Sequence, residues 1–205
     1  MTIRLHYIHD PLCGWCYAAA PLAEAAAAVP GVEIVLHGGG LFPEPAQLAP
    51  AMVSHIRAAD ARIAQMTGQA FGRPYLDELL PDPALRLNSL PPIAAVMAAE
   101  ELAGQGLGML VAIQRAHYVD GKRVVEPETL ADLAQGLGLD REAFVSAFAR
   151  QPVADHLSQT RRLMARFGLG GFPGFVRESD GRLDVLPHTQ LYGQPGKFAD
   201  LLKTG

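Results

Sequence analysis

Residues 3–37 change pattern three times, and few folds accommodate the result. Ile3, Leu5 and Tyr7 share one face of an extended segment, with Arg4 and His6 off it, which predicts a strand. Asp10-Pro11 ends the strand, because the residue before proline is pushed toward extended geometry. From Cys13 to about Val29 the chain is rich in Ala, Leu and Glu and reads as a helix. Pro21 falls inside that helix and is expected to kink it by removing one hydrogen bond. Pro30-Gly31 stops the helix, and Val32 to His37 reads as a second, buried strand. Two strands joined through a helix should run parallel with a right-handed crossover.

Beyond residue 40 the pattern turns helical. Helices are expected near 45–66, 89–103, 106–119, 127–137, 140–150 and 152–167. Asn88 or Ser89 precedes Pro91-Pro92, Pro127 stands at a first turn and Asp140 reads as an N-cap. Gly104, Gly121, Gly138 and Gly168 are the stops, and residues 67–88 read as loop or weak helix. After Gly168 short strands return at Phe175 to Glu178 and Leu183 to Leu186. Asp180-Gly181 between them is a hairpin turn, since both residues tolerate positive φ. Gln194-Pro195 opens a last helix with Phe198, Leu201 and Leu202 on one face. A sheet begun at residue 3 and finished near 186 must be assembled from both chain ends. The α/β domain therefore comprises 1–42 and 151–205, and 43–150 is an all-helical insertion domain.

Composition narrows the function. Of 205 residues 49% are apolar, enough for a sizeable core, and 17 basic against 21 acidic residues give a net charge of −4. No basic cluster stands out, which argues against a nucleic-acid partner. No apolar run approaches the ~18 residues of a membrane helix. MTIRLHYIHD reads as a strand rather than a signal-peptide core, so a cytoplasmic setting is expected. Thiols there are kept reduced, and a close cysteine pair is more often catalytic or metal-binding than a structural staple.

The chain has only two cysteines, both in DPLCGWCYAAAP. A disulfide across two residues closes almost no loop and restrains the unfolded chain little. A zinc site usually needs four ligands, often from two paired motifs. Here there is no second pair, and the seven histidines are scattered without ligand spacing. Redox chemistry remains, and a C-x-x-C beside a βαβ pattern is a thioredoxin-like signature. At a helix start the free N–H groups and the macrodipole favour a thiolate. Cys13 would occupy that turn as the nucleophile. Cys16, about one turn above on the same face and less exposed, would resolve the mixed disulfide. Gly14 keeps the turn open. Trp15 is either an apolar platform for a partner or a packing residue that shields the disulfide.

With DPLCGWCYAAAP, the GGF-Pro173 segment near 170–175 and EPETLADLAQGLGLDREAFVSAF in hand, the chain resembles the DsbA family of thiol–disulfide oxidoreductases over nearly its whole length. More closely it is similar to the cytoplasmic CxxC branch described as predicted protein-disulfide isomerases. The resemblance implies a thioredoxin-like domain interrupted by a helical domain. It implies that Pro173 is the family's cis-proline beside the sulfurs, with Phe172 and Pro173 anchoring a substrate strand. Pro21 matches the kinking proline of thioredoxin-like active-site helices. The partners implied are protein or peptide thiols and disulfides, with glutathione as a possible co-substrate and no other cofactor. The dipeptide Gly14-Trp15 lacks the cation found in strongly oxidising members, which argues against strong oxidant behaviour. Two other readings stand beside this one. Kappa-class glutathione transferases and 2-hydroxychromene-2-carboxylate isomerases share the architecture but carry Ser where Cys13 stands. A non-enzymatic redox-sensing or peptide-binding adaptor would use the disulfide to switch a surface.

Several other signals are local. His37-Gly38-Gly39-Gly40 lacks the Lys and spacing of a phosphate loop and reads as a strand end where backbone packs tightly. Asp10 is expected to cap the following helix rather than tune the thiol. His9 is either a proton donor near Cys13 or a satisfied polar residue. Arg115, His117, Lys122 and Arg123 read as a solvated helix end, and 89–102 and 106–113 as core.

Overall fold

The computed structural model describes residues 2–203. Strand β1 (Ile3–His9) pairs in parallel with β2 (Val32–Gly38), joined by helix α1 (Gly14–Ala27). On its other side β1 pairs antiparallel with β3 (Gly174–Ser179), and β3 with β4 (Arg182–Val185), giving the order β2-β1-β3-β4. Both chain ends thus build one sheet, as the alternation and the late hairpin require. Asp180 (φ 49°) and Gly181 (φ 75°) make the β3–β4 turn. Both central residues at positive φ match the right-handed twist of the strands.

Between β2 and β3 run α2 (Pro50–Thr67), α3 (Leu90–Ala103), α4 (Gly106–Tyr118), α5 (Pro127–Gly136), α6 (Arg141–Ala149) and α7 (Val153–Phe167). The chain closes with α8 (Pro195–Lys203). Asp140 caps α6 through a 2.8 Å bond from the Ala143 N–H, and Gly104 and Gly168 end α3 and α7 in the left-handed region. Three elements depart from the sequence reading. Strand β2, expected to be buried, is half-buried over residues 32–37, with Glu33 exposed. Helix α2 begins at Pro50 rather than 45, because Ala46 pairs with Leu87 in a two-way backbone bridge. Ala49, before proline, is held extended at ψ 150°. Residues 74–79, expected as loop or weak helix, form a π-helical turn that buries Tyr75 and Leu79.

One sheet face packs against α1 and α8. Tyr7 stacks on Phe175 at 4.5 Å between centroids, and Phe175 meets Phe198 of α8 at 4.8 Å. Rings of this kind contribute about 0.5–1.5 kcal/mol beyond the area they bury. The helical segment is seated on α1 by a second aromatic cluster. Tyr17 stacks on Tyr118 at 4.9 Å and meets the edge of Phe71 at 5.4 Å. Pro21 has no N–H for the Tyr17 carbonyl, and the Gln69 side-chain amide takes that carbonyl at 2.8 Å. The hydrogen bond lost to proline inside α1 is therefore replaced from the insertion.

Burial leaves several titratable groups in unusual states. His9 is 1% exposed, with no hydrogen-bond partner on either ring nitrogen, so it is not the satisfied polar residue that was one reading of its position. Burial holds its pKa at about 3. The same cause holds His37 and His117 at about 4. Unfolding restores the usual value near 6.5, so below it the unfolded chain takes up protons that the folded chain refuses. Burial raises Asp60 to about 6, which acts oppositely, since the folded state then holds the extra proton. Burial also lowers His156 and His188 and raises Asp10 and Glu24, so five imidazoles stand against three carboxyls and decide the sign. The urea midpoint should fall by several tenths molar or more between about pH 6.5 and about pH 4.5, measured by circular dichroism.

Candidate active site

The first turn of α1 is built by the end of β1. Cys13 is the N-cap, extended at φ −94° and ψ 116°, and its carbonyl accepts the N–H groups of Cys16 at 2.9 Å and Tyr17 at 3.0 Å. No side chain caps this helix. Asp10, expected to do so, is instead fully buried and braces loops. Its carboxylate accepts from the Leu12 N–H at 2.9 Å, the Leu41 N–H at 2.7 Å and the Ser89 hydroxyl at 3.0 Å. Ser89 is thereby drawn away from capping α3, whose N-cap it occupies. The first turn of α1 thereby leaves the N–H groups of Trp15 and Cys16 beside the sulfur of Cys13, although the Cys16 N–H also meets the Cys13 carbonyl.

Both thiols are free, and they differ sharply. Cys13 retains 8% exposure, whereas Cys16 has none. The Cys16 S–H holds the Cys13 thiol below its usual pKa, assisted by the N–H groups of Cys16 and Trp15 and opposed by burial and the Asp10 charge. Burial pushes Cys16 well above the usual thiol range, and the bond and charge of Cys13 add to that. Around Cys16 the contacts are fixed. The Asp10 N–H donates to its sulfur at 3.3 Å, and the Tyr7 hydroxyl donates to its carbonyl at 3.0 Å. Tyr7 lies six residues before Cys13 on the inward face of β1. The strand pattern shows that it points inward, but nothing in the sequence shows what it meets.

Phe172 and Pro173 reach the same place from the far end of the chain. Their peptide bond is cis, and the Phe172 carbonyl lies 3.9 Å from the Cys13 sulfur. The glycine run after β2 makes room for them. A Cβ on Gly39 would fall 1.9 Å from the Phe172 ring. Trp15 is half-buried, 5.5 Å from the Tyr192 ring, with the Arg62 guanidinium 5.7 Å from its own centroid. Together with Phe172, Pro173 and residues 168–171 it borders a groove of about 470 Å³. Gly14 faces away from that groove, toward α2. A Cβ there would stand 3.0 Å from the Asp60 carboxylate and 3.2 Å from Ile63. Close approach of the insertion, more than openness of the turn, is what Gly14 provides. His117, expected at a solvated helix end, is 4% exposed and packs on Tyr75 and Tyr118. Among the described residues no group of His, Cys, Asp or Glu could hold a metal ion, and no helix is long and apolar enough to cross a membrane.

The fold and its dithiol define a thioredoxin-type thiol–disulfide oxidoreductase. The DSBA-like thioredoxin domain model matches residues 5–192, and the chain belongs to that family. It is 47% identical to the cytosolic disulfide reductase DsbM from Pseudomonas aeruginosa, covering 98% of this chain and 97% of that one, with a TM-score of 0.92. DsbM with GSH is similar at 46% identity and a TM-score of 0.90, over 98% of both chains. The Azotobacter vinelandii thiol:disulfide interchange protein DsbA is 30% identical over 74 residues, 36% of this chain and about a third (35%) of that protein.

Two measurements test the geometry. Alkylation of the reduced protein should modify Cys13 alone, with a pH midpoint below the ~8.5 of an ordinary thiol, as read by mass spectrometry. Gly39→Ala should displace Phe172 and destabilise the fold by about 1–3 kcal/mol in urea titrations, whereas Gly170→Ala, with no atom within 4 Å, should not.

Proposed function

We propose that this protein is a cytoplasmic disulfide reductase whose dithiol is regenerated by glutathione. The observation that carries the reading is the asymmetry of the pair: one thiol favoured as thiolate at a helix start, the other buried and protonated against it. Cys13 attacks a disulfide RS–SR′, forms Cys13–S–SR′ and releases RS⁻ with the electron pair of the broken bond. Cys16 then gives up its proton and attacks the Cys13 sulfur, R′S⁻ departs, and the internal disulfide remains. Two glutathione thiols restore the dithiol and leave as glutathione disulfide.

The direction of flow has a physical basis. A strong oxidant is one whose reduced form is specially stabilised. Among the described residues no cationic side chain acts on the Cys13 sulfur, so the thiolate is favoured there by Cys16 and backbone N–H groups. That modest stabilisation suits a reductant, as do the reductase activity of the similar DsbM and its structure with GSH. Phe172 and Pro173 would hold an extended stretch of substrate by backbone pairing beside the sulfur, with Trp15 as an apolar wall and Gly14 letting α2 stand close to the redox turn. The insertion at 43–150 and the two-part domain of 1–42 and 151–205 form part of the same proposal. It is supported by α7 returning to pack on β2, where the His156 ring accepts the Gly38 N–H at 2.8 Å.

Cys16→Ser should halt turnover of a glutathione-coupled disulfide assay and accumulate a mixed disulfide on Cys13, visible as a mass increment. Undiminished turnover in that variant would remove the resolving role and favour a glutathione transferase or isomerase.

A further inference from the structure

Trp15 borders two concavities. Beyond the groove at Phe172 and Pro173, a cavity of about 360 Å³ opens on Cys13 between the first turn of α1, helix α2 and the chain from Tyr75 to Leu87. Apolar side chains make most of its wall, among them Leu12, Phe42, Ile56, Ile63 and Leu85. An apolar cavity of about 150 Å³ is enough to hold benzene. This one has room for an aromatic ring and a short arm.

Two polar groups in that wall have unspent capacity. Asp60 is 3% exposed, and one carboxylate oxygen accepts from the Tyr75 hydroxyl at 2.9 Å. Among the described residues it has no ion-pair partner, since Arg57, one turn earlier, turns its guanidinium to the Leu76 carbonyl. A buried carboxylate with no ion-pair partner is costly unless a ligand supplies one. His117 is the second group. It packs between Tyr75 and Tyr118, and its buried Nδ1 has no hydrogen-bond partner. Burial keeps the ring neutral, and a neutral imidazole with its proton on Nε2 offers Nδ1 as an acceptor. A carboxylate and an imidazole lone pair inside apolar walls match a primary ammonium on an apolar stem.

We propose that this cavity receives the apolar, amine-tipped arm of a small disulfide, with the ammonium held by Asp60 and His117 and the arm's sulfur presented to Cys13. This rests on the reductase reading and specifies its substrate class. The Cys13 thiolate bonds to the arm's sulfur, the substrate S–S bond breaks, and the other half leaves as a thiolate. Cys16 next displaces the arm, which takes up a proton and departs as a thiol, and two glutathione thiols reduce the internal disulfide.

The test compares mixed disulfides of glutathione with para-(aminomethyl)benzyl thiol and with para-methylbenzyl thiol. Wild type should favour the amine by about tenfold in kcat/KM, and Asp60→Asn, which can still bond Tyr75, should bring the two together. Ile56→Trp, which fills the cavity, should raise KM for both arms while leaving the pH profile of Cys13 alkylation in place. It carries the test if Asp60→Asn fails to fold. Calorimetry with para-methylbenzylamine reads the cavity without turnover, and binding should be lost in Asp60→Asn. Equal kcat/KM for both probes in wild type, or a preference that survives Asp60→Asn, overturns the proposal. Reduction of both disulfides with no amine binding overturns it too, and leaves the reductase reading standing. Amine binding with neither disulfide reduced overturns the reductase reading instead and leaves the cavity assignment in place.

Discussion

One buried carboxylate holds three distant parts of the chain in register with the redox pair. Asp10 receives hydrogen bonds from Leu12 in its own turn, from Leu41 after the glycine run and from Ser89 at the head of α3. Its N–H donates to the sulfur of Cys16. The turn before α1, the loop supporting Phe172 and the start of the helical segment are therefore fixed by one side chain. Burial raises the pKa of that carboxyl, and the hydrogen bonds it accepts pull the other way. Losing the bond from Leu12 or Ser89 leaves a buried donor unpaired, at a cost of about 1–3 kcal/mol.

The asymmetry of the thiols comes from where that bracing places them. Cys13 closes the N-terminus of a helix that no side chain caps, so backbone N–H groups that an Asp or Ser would normally satisfy are left to a sulfur. Cys16, one turn in, lies above Tyr7 and under the Asp10 backbone, where water has no access. Each thiol depends on the other. The S–H of Cys16 stabilises a thiolate at Cys13, and that same bond discourages ionisation of Cys16 until Cys13 has been consumed in a mixed disulfide. The order of the two chemical steps is thus set by position in one helical turn.

The parts legible in the sequence are those encoded over a few residues. Alternation in 3–7 and the Asp180-Gly181 turn place strands, glycine stops place helix ends, and the spacing of Cys13 and Cys16 places the chemistry. Pro173 is legible only because the segment around it resembles a family. The departures share a cause. Asp10 has the residue type and location of a cap, yet two of the three donors it serves are 31 and 79 residues away. His117 sits among charges in sequence, yet the aromatic cluster of Tyr75 and Tyr118 encloses it. Asp60 lies on a helix with few buried positions, and only the approach of α2 to Gly14 turns it inward. A single sequence shows residue type and local period, but whether a polar side chain meets water or a distant segment is settled by tertiary packing.

Gly14 shows how the two levels meet. In the sequence it separates two cysteines and reads as freedom for a turn. In the fold it is the contact surface where α2 comes within about a side chain's breadth of the redox helix. Any Cβ there would push against Asp60 and Ile63, and so against the walls of the cavity that opens on Cys13. The dipeptide between the cysteines therefore does two jobs on two sides. Trp15 borders both concavities, and Gly14 sets how near the helical segment stands. Because the thioredoxin-like sheet fixes the sulfur and the inserted helices fix the surroundings, changes in the insertion can alter what reaches Cys13 without altering how Cys13 reacts.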